Sequence, residues 1–573
     1  MKKSYISILA ALLLTVAGIT SVSAQEMYFK AAGTPVNPKV QVSWNRYYTH
    51  AGVLDICNRI AKAWPEIATI ETIGKSYQGK DIVVLTISDR KAGDPASKPG
   101  FWIDGNIHSI EIQGTEMAMY TSWLLCELWG ENNSYIRELL KEKTFYISPT
   151  INPDGRDYLM LATVPPRSGL VPRDNDRDGL MDEDPPNDLN GDKNISQMRR
   201  KNPEGTFIID PKDPRKMIRV EPGQKGEYEM LGMEGIDDDG DGSVNEDGPG
   251  SYDGNRDWGF NWEPNYIQSG ADKYPFTFPE NQAVRDFVIK HPNICGSQSF
   301  HNSGGMILRG PSIQGGGAEA YSRADDAVIN EIGQTGQKML PGYKLLTIWK
   351  DMYTVWGGEL DWWVGAAGVF AYSNELWNPY LMFYDSTNND MYEFDKLLLY
   401  GNALLPWQKY NHPVYGEVEI GGVSKNFSRL HPGFMLETDS HRNASFCIYN
   451  ADQLPVLEVR NVRVKNLQGG LKEVTAIVSN NRLVPTHSAS NLRYKITPPD
   501  YVYLDGGTVI AGMTVQDKDL NYTQEQKKNP ARMELSNIPG NSSINIKWIV
   551  KGGSKFTVRV ESVKGGKASA QSE

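Results

Sequence analysis

An α/β domain on a mixed sheet, interrupted by an acidic insertion and followed by a β-sandwich, is the architecture this sequence predicts. Three observations predict it. Helical and strand-like apolar patterns alternate up to about residue 412, an Asp/Gly/Pro-rich block breaks them between about residues 163 and 252, and only strand-like runs follow about residue 453. At 573 residues, 39% apolar and 23% charged, the chain is too long for one core and too apolar to be disordered.

Residues 1–24 join a basic start (Lys2, Lys3), a short apolar core (ISILAALLLTVAGI) and a small-residue end (Val22-Ser23-Ala24). This is the pattern of a cleaved bacterial export signal, with an uncleaved anchor disfavoured because the core is short for a membrane span. No later run is long and apolar enough to cross a bilayer, so a soluble, periplasmic or secreted product without membrane insertion is expected. Without Lys2 and Lys3 the net charge moves from −11 to −13 (57 basic against 70 acidic residues), which disfavours nucleic acid and anionic membranes as partners. Cys57, Cys126, Cys295 and Cys447 form no C-x-x-C pair; buried thiols are expected, with a single disulfide of undetermined pairing as the alternative.

From residue 47 the order reads helix (Leu54, Ile60, Ala61 and Trp64 at helical spacing), strand (IATIETIG), Gln-Gly turn, strand (DIVVLTIS). Then come strand FWIDGNI, helix MAMYTSWLLCELW, and strand TFYISPTINPDG entering a Pro-Asp-Gly turn. The catalytic region is thus placed at residues 25–412, with the insertion at about 163–252 and a connecting β segment at 413–452. An Ig-like β-sandwich and tail fill 453–573, on the strength of VLEVRNVRVKN, VTAIVSNN, INIKWIV and KFTVRVESV.

Among eight histidines, His108 stands three residues before Glu111, a spacing that brings two side chains to about 5–6 Å between Cβ atoms if helical, so that both can hold one ion. About one such His-x-x-acid pair is expected by chance. A catalytic zinc needs a third protein ligand and an open position. His301 is the candidate, because it ends an alternating run (ICGSQSFH) and opens Asn-Ser-Gly-Gly, a strand-to-loop position where α/β sites gather.

With these residues in place the chain resembles the M14 zinc carboxypeptidases, carboxypeptidase A-like metallopeptidases, over roughly residues 47–412. His108-Ser-Ile-Glu111 is similar to the family's zinc pair, followed by Asn152-Pro153-Asp154-Gly155, MRRK (198–201), YDGNRDW (252–258), SFHNS, MYTVWGGELDWW (352–363) and SNELW (373–377), in family order. The resemblance implies one catalytic Zn2+ on His108, Glu111 and His301, Glu375 as general base, and Arg200 polarising the scissile carbonyl, with Arg199 as the competing register. It further implies that Asn255, Arg256 and Tyr353 grip a C-terminal carboxylate, and that Asp253 orients His108. Leu360 falls where the family tunes its side-chain pocket, implying apolar C-terminal residues; a slip to Glu359 would imply basic ones. Asp257 and Ile110 depart from family residues, which puts fine specificity in doubt.

The insertion carries two near copies, DNDRDGLMDED (174–184) and DDDGDGSVNED (237–247). Alternate carboxylates before a turn glycine open an EF-hand-like loop, so Asp174, Asp176, Asp178, Asp182, Asp237, Asp239, Asp241 and Asn245 are candidate Ca2+ ligands, although Pro185 and Gly248 stand where the bidentate glutamate is due. The expectation is an exported zinc metallocarboxypeptidase acting on peptides, with glycan or protein contact left to the sandwich. Its rivals are a zinc amidase or deacylase of modified peptides or cell-wall fragments, and a degenerate peptide- or glycan-binding protein.

Overall fold

A computed structural model describes residues 30–163, 167–175, 177–250, 252–315, 321–427 and 429–572. The export signal expected at 1–24 and the candidate ligand Asp176 lie outside the described residues. The chain divides into two units, Met1–Pro38 and Lys39–Glu573. The described part of the first, residues 30–38, has bends but no helix or strand.

In the second unit, β1 (Ala68–Lys75), β2 (Asp81–Ile87), β3 (Gly100–Gly105) and β4 (Thr144–Ser148) are followed by β5 (Gln197–Lys201), β6 (Phe207–Ile209), β7 (Met217–Arg219) and β8 (Tyr228–Met233). Then come β9 (Ile294–Asn302), β10 (Met306–Arg309), β11 (Lys344–Thr347) and β12 (Phe370–Leu376). An eight-stranded mixed sheet runs β1-β2-β4-β3-β9-β12-β10-β11. Its centre, β4, β3, β9 and β12, is parallel, and β3, β4 and β9 are buried along their whole length, as a sheet covered on both faces requires. Parallel β3, β9 and β12 therefore deliver their C-terminal ends to one edge.

The helix Gln113–Gly130, buried from Gln113 to Glu127, lies on this sheet and carries an apolar core shared with the helices His50–Ala63 and Ser134–Glu142. Two glycines allow its close approach. A Cβ on Gly114 would come within 2.9 Å of the Phe300 Cβ on β9, and one on Gly105 within 2.5 Å of the Gly114 carbonyl carbon. The turn between β3 and this helix is thereby clamped to the sheet edge.

The segment expected as a β connector at 413–452 is different. β13 (Leu404–His412) and β14 (Gly416–Val423) form a hairpin that joins the insertion strands in a six-stranded sheet, β13-β14-β5-β8-β6-β7. Gly433–Asp452 is a 20-residue helix packed on the helix Gln113–Gly130. Its buried Leu436, Ser440, Asn443, Ala444, Cys447 and Ala451 recur at helical spacing, but polar and small residues hold several of those positions, so the apolar signal is weak.

At the C-terminus β15 (Leu457–Asn466), β16 (Leu471–Asn480), β17 (Asp500–Asp505), β18 (Thr508–Asp517), β19 (Tyr522–Glu525), β20 (Arg532–Leu535), β21 (Ser542–Lys551), β22 (Thr557–Ser562) and β23 (Gly566–Gln571) form two antiparallel sheets. These are β15-β16-β21-β18-β19 and β20-β17-β22-β23, enclosing their own core around Trp548, Val474, Val502 and Val558. The sandwich nonetheless docks on the α/β body: Lys564 Nζ donates to the carbonyls of Ala367 (2.7 Å) and Gly368 (3.0 Å). The four cysteines are free and buried. No helix among the described residues is long and apolar enough to cross a membrane.

Candidate metal centre and active site

The turn after β3 places the first two candidate ligands. Asn106 takes φ 60°, a left-handed conformation that asparagine tolerates, and its Nδ2 donates to the His108 carbonyl at 2.8 Å. The Glu111 N–H donates to the same carbonyl at 3.1 Å, folding both side chains to one side before the helix starts. His301 arrives from β9, paired in register with Glu375 on the neighbouring parallel strand β12.

His108 Nδ1 lies 2.9 Å from Glu111 Oε1, His301 Nδ1 lies 2.9 Å from Glu111 Oε2, and the two Nδ1 atoms are 3.2 Å apart. Zinc bonds of about 2.0–2.2 Å in a tetrahedron put ligand atoms roughly 3.3 Å from one another, so this donor set fits one zinc. All three residues are buried. Burial would raise the Glu111 carboxyl, yet His108 and then His301 hold it below the usual carboxylate range. Burial likewise opposes charge on His108, and Glu111 and Asp253 overcome it, lifting the imidazole to about 9. The far ring nitrogen, Nε2, is 2.9 Å from Asp253 Oδ1, which leaves Nδ1 to face the other ligands. Asp253 Oδ2 accepts from Arg167 Nε at 2.8 Å.

The cleft beside the triad is lined by Arg167, Asn255, Arg256, Tyr353, Leu360, Glu375 and Arg429, among others. Arg256 is buried and donates to the Asn255 carbonyl at 2.7 Å, while Tyr353 is 53% exposed. Burial first, then the Glu111 carboxylate, push the Glu375 carboxyl up to about 7, against the pull of His301, His108 and Arg167.

Arg200, expected beside the scissile carbonyl, is elsewhere. It projects from β5 in the six-stranded sheet, where its Nε donates to Glu229 Oε1 at 2.8 Å and its Nη1 to the Tyr415 carbonyl at 3.4 Å, and it does not line the cleft. Its competitor Arg199 is paired with Glu419 at 2.6 Å and lies over the Trp407 ring. MRRK matches in spelling, but the insertion has made it a sheet strand whose arginines serve ion pairs. Arg167 is a cationic group of the cleft that sequence reading missed, hydrogen-bonded to Asp253, and it sits in a short Pro-rich stretch with no pattern to reveal it.

Of the candidate Ca2+ ligands, Asp237, Asp239 and Asp241 converge, and Asp178 converges with Asp239 and Glu183. Asp174 and Asp182 instead stand outside these clusters and accept backbone N–H groups, Asp174 from Arg177 and Gly179, Asp182 from Arg173 and Gly250. Asn245 Nδ2 donates to the Glu234 carbonyl at 3.0 Å. The two loops brace each other through an antiparallel bridge between Asp184 and Asp247. Sequence reading missed Glu183, Asp184 and Glu246, because the glutamates come two positions before the place where an EF-hand loop has its own.

A buried His-x-x-Glu pair and a histidine near the end of a central strand make a site that can hold one metal ion, with a carboxylate on the next strand beside it. Residues 53–390, more than half of the chain, match the zinc carboxypeptidase family model (peptidase M14), and the chain belongs to that family. Residues 456–573 match a domain of unknown function, DUF8731. Carboxypeptidase Z of Rattus norvegicus is 31% identical over 109 residues, 19% of this chain and 17% of that protein, so the chain spans only a small part of it. Carboxypeptidase B of Astacus astacus is 22% identical over 345 residues, 58% of this chain and 88% of that protein. The crystal structure of carboxypeptidase A from Helicoverpa armigera superposes with a TM-score of 0.42 at 17% identity, covering 78% of this chain and 80% of that one.

Proposed function

We propose that this protein is a zinc carboxypeptidase that removes the C-terminal residue of peptides. The observation that carries the reading is the sharing of one cleft by the triad, Glu375 and Arg256. Bound zinc would lower the pKa of a water molecule and polarise the scissile carbonyl. Glu375 would take the proton of the attacking water and pass it to the leaving amine, a role supported by its register position next to His301. Arg256, with Asn255 and Tyr353, offers planar donors to the terminal carboxylate and so sets which bond is cut. Arg167, whose Nη groups make no hydrogen bond among the described residues, supplies positive charge toward the developing oxyanion.

Peptides with free C-termini and their amides, assayed with zinc quantified, test the reading. Release of the last residue from free carboxylates alone supports it, and equal cleavage of amides overturns it. Asp253 acts through His108, so Asp253→Ala is expected to weaken zinc affinity about 10–100-fold, measured by competition with a chelator. Unchanged affinity would remove Asp253 from the centre.

Export to the periplasm or exterior is part of this proposal and rests on the pattern of residues 1–24. So is structural Ca2+ in the acidic insertion. Supporting it, both carboxylate oxygens of Glu183 and of Glu246, and Oδ1 of the fully buried Asp184, are sequestered without a hydrogen-bond partner among the described residues. Millimolar Ca2+ added to chelator-treated, zinc-reloaded protein should raise Tm by about 2–4 °C, and Glu183→Gln with Glu246→Gln should erase that rise. An unmoved Tm in the unaltered protein would discard the calcium reading.

A further inference from the structure

The cleft does not end at the metal ligands. Ser299 lies two residues before His301 on β9, on the same face of the strand and one pleat deeper, about 6–7 Å along the strand. It reaches two carboxyls that the chemistry at the triad does not use: Ser299 Oγ is 3.1 Å from Glu359 Oε1 and 3.2 Å from Asp104 Oδ2. Glu359 lines the cleft and is 1% exposed, as is Asp104 behind it. Leu308, Ile348, Val355 and Leu360 line the same cleft and give it an apolar portion.

The two acids have been given neutral donors. Trp102 Nε1 donates to Asp104 Oδ2 at 2.5 Å and Trp363 Nε1 to Glu359 Oε1 at 2.9 Å. Glu359 Oε2 has no hydrogen-bond partner among the described residues, and neither carboxyl is in an ion pair there. Burial, then the neighbouring Glu359, push the Asp104 carboxyl well above its ordinary range. Two acids buried side by side with no cationic partner make a poor structural contact, which apolar residues would fill at less cost. Glu359 lines the open cleft, so a cationic side chain entering the cleft can reach it.

We propose that Glu359, backed by Asp104 and Ser299, selects substrates whose C-terminal residue carries a long cationic side chain, lysine or arginine; this rests on the carboxypeptidase reading above. The aliphatic stem of such a side chain would lie against Leu360 and its neighbours, and the charged head would meet Glu359. Leu360 is then a wall of the pocket, and the preference belongs to the residue beside it.

The test uses the zinc-loaded full chain and peptides ending in Lys, Arg, Leu, Phe or norleucine, the last having lysine's stem without its amine. Lysine is expected to exceed norleucine in kcat/KM by about 10²-fold, and Glu359→Gln to lower that ratio by about as much. Calorimetric binding of free L-lysine and L-norleucine to the unaltered protein gives a second reading that depends on neither turnover nor the folding of a variant. Norleucine binding as tightly as lysine, or fastest release of Leu or Phe, overturns the role of Glu359 and leaves the carboxypeptidase reading standing. Release of no terminal residue overturns the carboxypeptidase reading, and the lysine-to-norleucine affinity ratio still decides whether Glu359 recognises a cation.

Discussion

Glu375→Gln is expected to lower kcat for release of the C-terminal residue by about 10²–10⁴-fold, with bound zinc and KM little changed. The amide keeps the size and polarity of the side chain but cannot accept a proton from water. Because Glu375 stands beside His301 without being one of the three converging ligands, metal content should survive the exchange. The pH profile carries the same signature. Burial and the Glu111 carboxylate push the Glu375 carboxyl up to about 7, and a bound dication would draw it back down. A general base works deprotonated, so kcat/KM should fall as pH drops through that pKa, and the residual rate of the variant should lack this acid limb. A variant that keeps most of its kcat, or keeps the acid limb, would show that another group takes the proton.

His108 and Glu111 could be read from their spacing and His301 from its strand-end position, while Glu375 was legible only through the resemblance of SNELW; in the fold each ends or follows a central parallel strand. Other parts were not legible, for separate physical reasons. Arg200 was expected at the cleft from the spelling MRRK, but which side of a strand an arginine occupies depends on pairing with β8 and β14, partners remote in sequence. Arg167 reaches the site from a stretch without periodicity. The helix Gly433–Asp452 hides because it packs through asparagine, serine and alanine as well as leucine. In the insertion, the two acidic motifs announced themselves, yet the way Asp184 of one loop meets the other through the bridge to Asp247 is a property of the folded pair. Glu359 is the sharpest case. Sequence reading weighed it against Leu360 as alternatives, whereas in the fold both line the cleft.

Arg256→Ala is expected to cut kcat/KM for peptides with a free C-terminus by about 10³-fold, a loss of about 4 kcal/mol, because a buried carboxylate would be left without its guanidinium partner. Arg256 is itself buried and held 3.8 Å from Asp253 Oδ2, with one Nη donating to the Asn255 carbonyl, so its planar face is oriented before substrate arrives. Lysine cannot reproduce that geometry, and Arg256→Lys should recover only a small part of the loss. The same substitution tests the order of events in the cleft. If Arg256 anchors the terminal carboxylate, amidated peptides are poor substrates of the unaltered protein and are not made worse by Arg256→Ala, so the free-acid to amide ratio collapses toward one. If the protein instead removes an amide-linked group from a modified peptide, Arg256→Ala affects acids and amides alike. The two results separate an exopeptidase from an amidase through one side chain, with the metal ligands and Glu375 untouched in both cases.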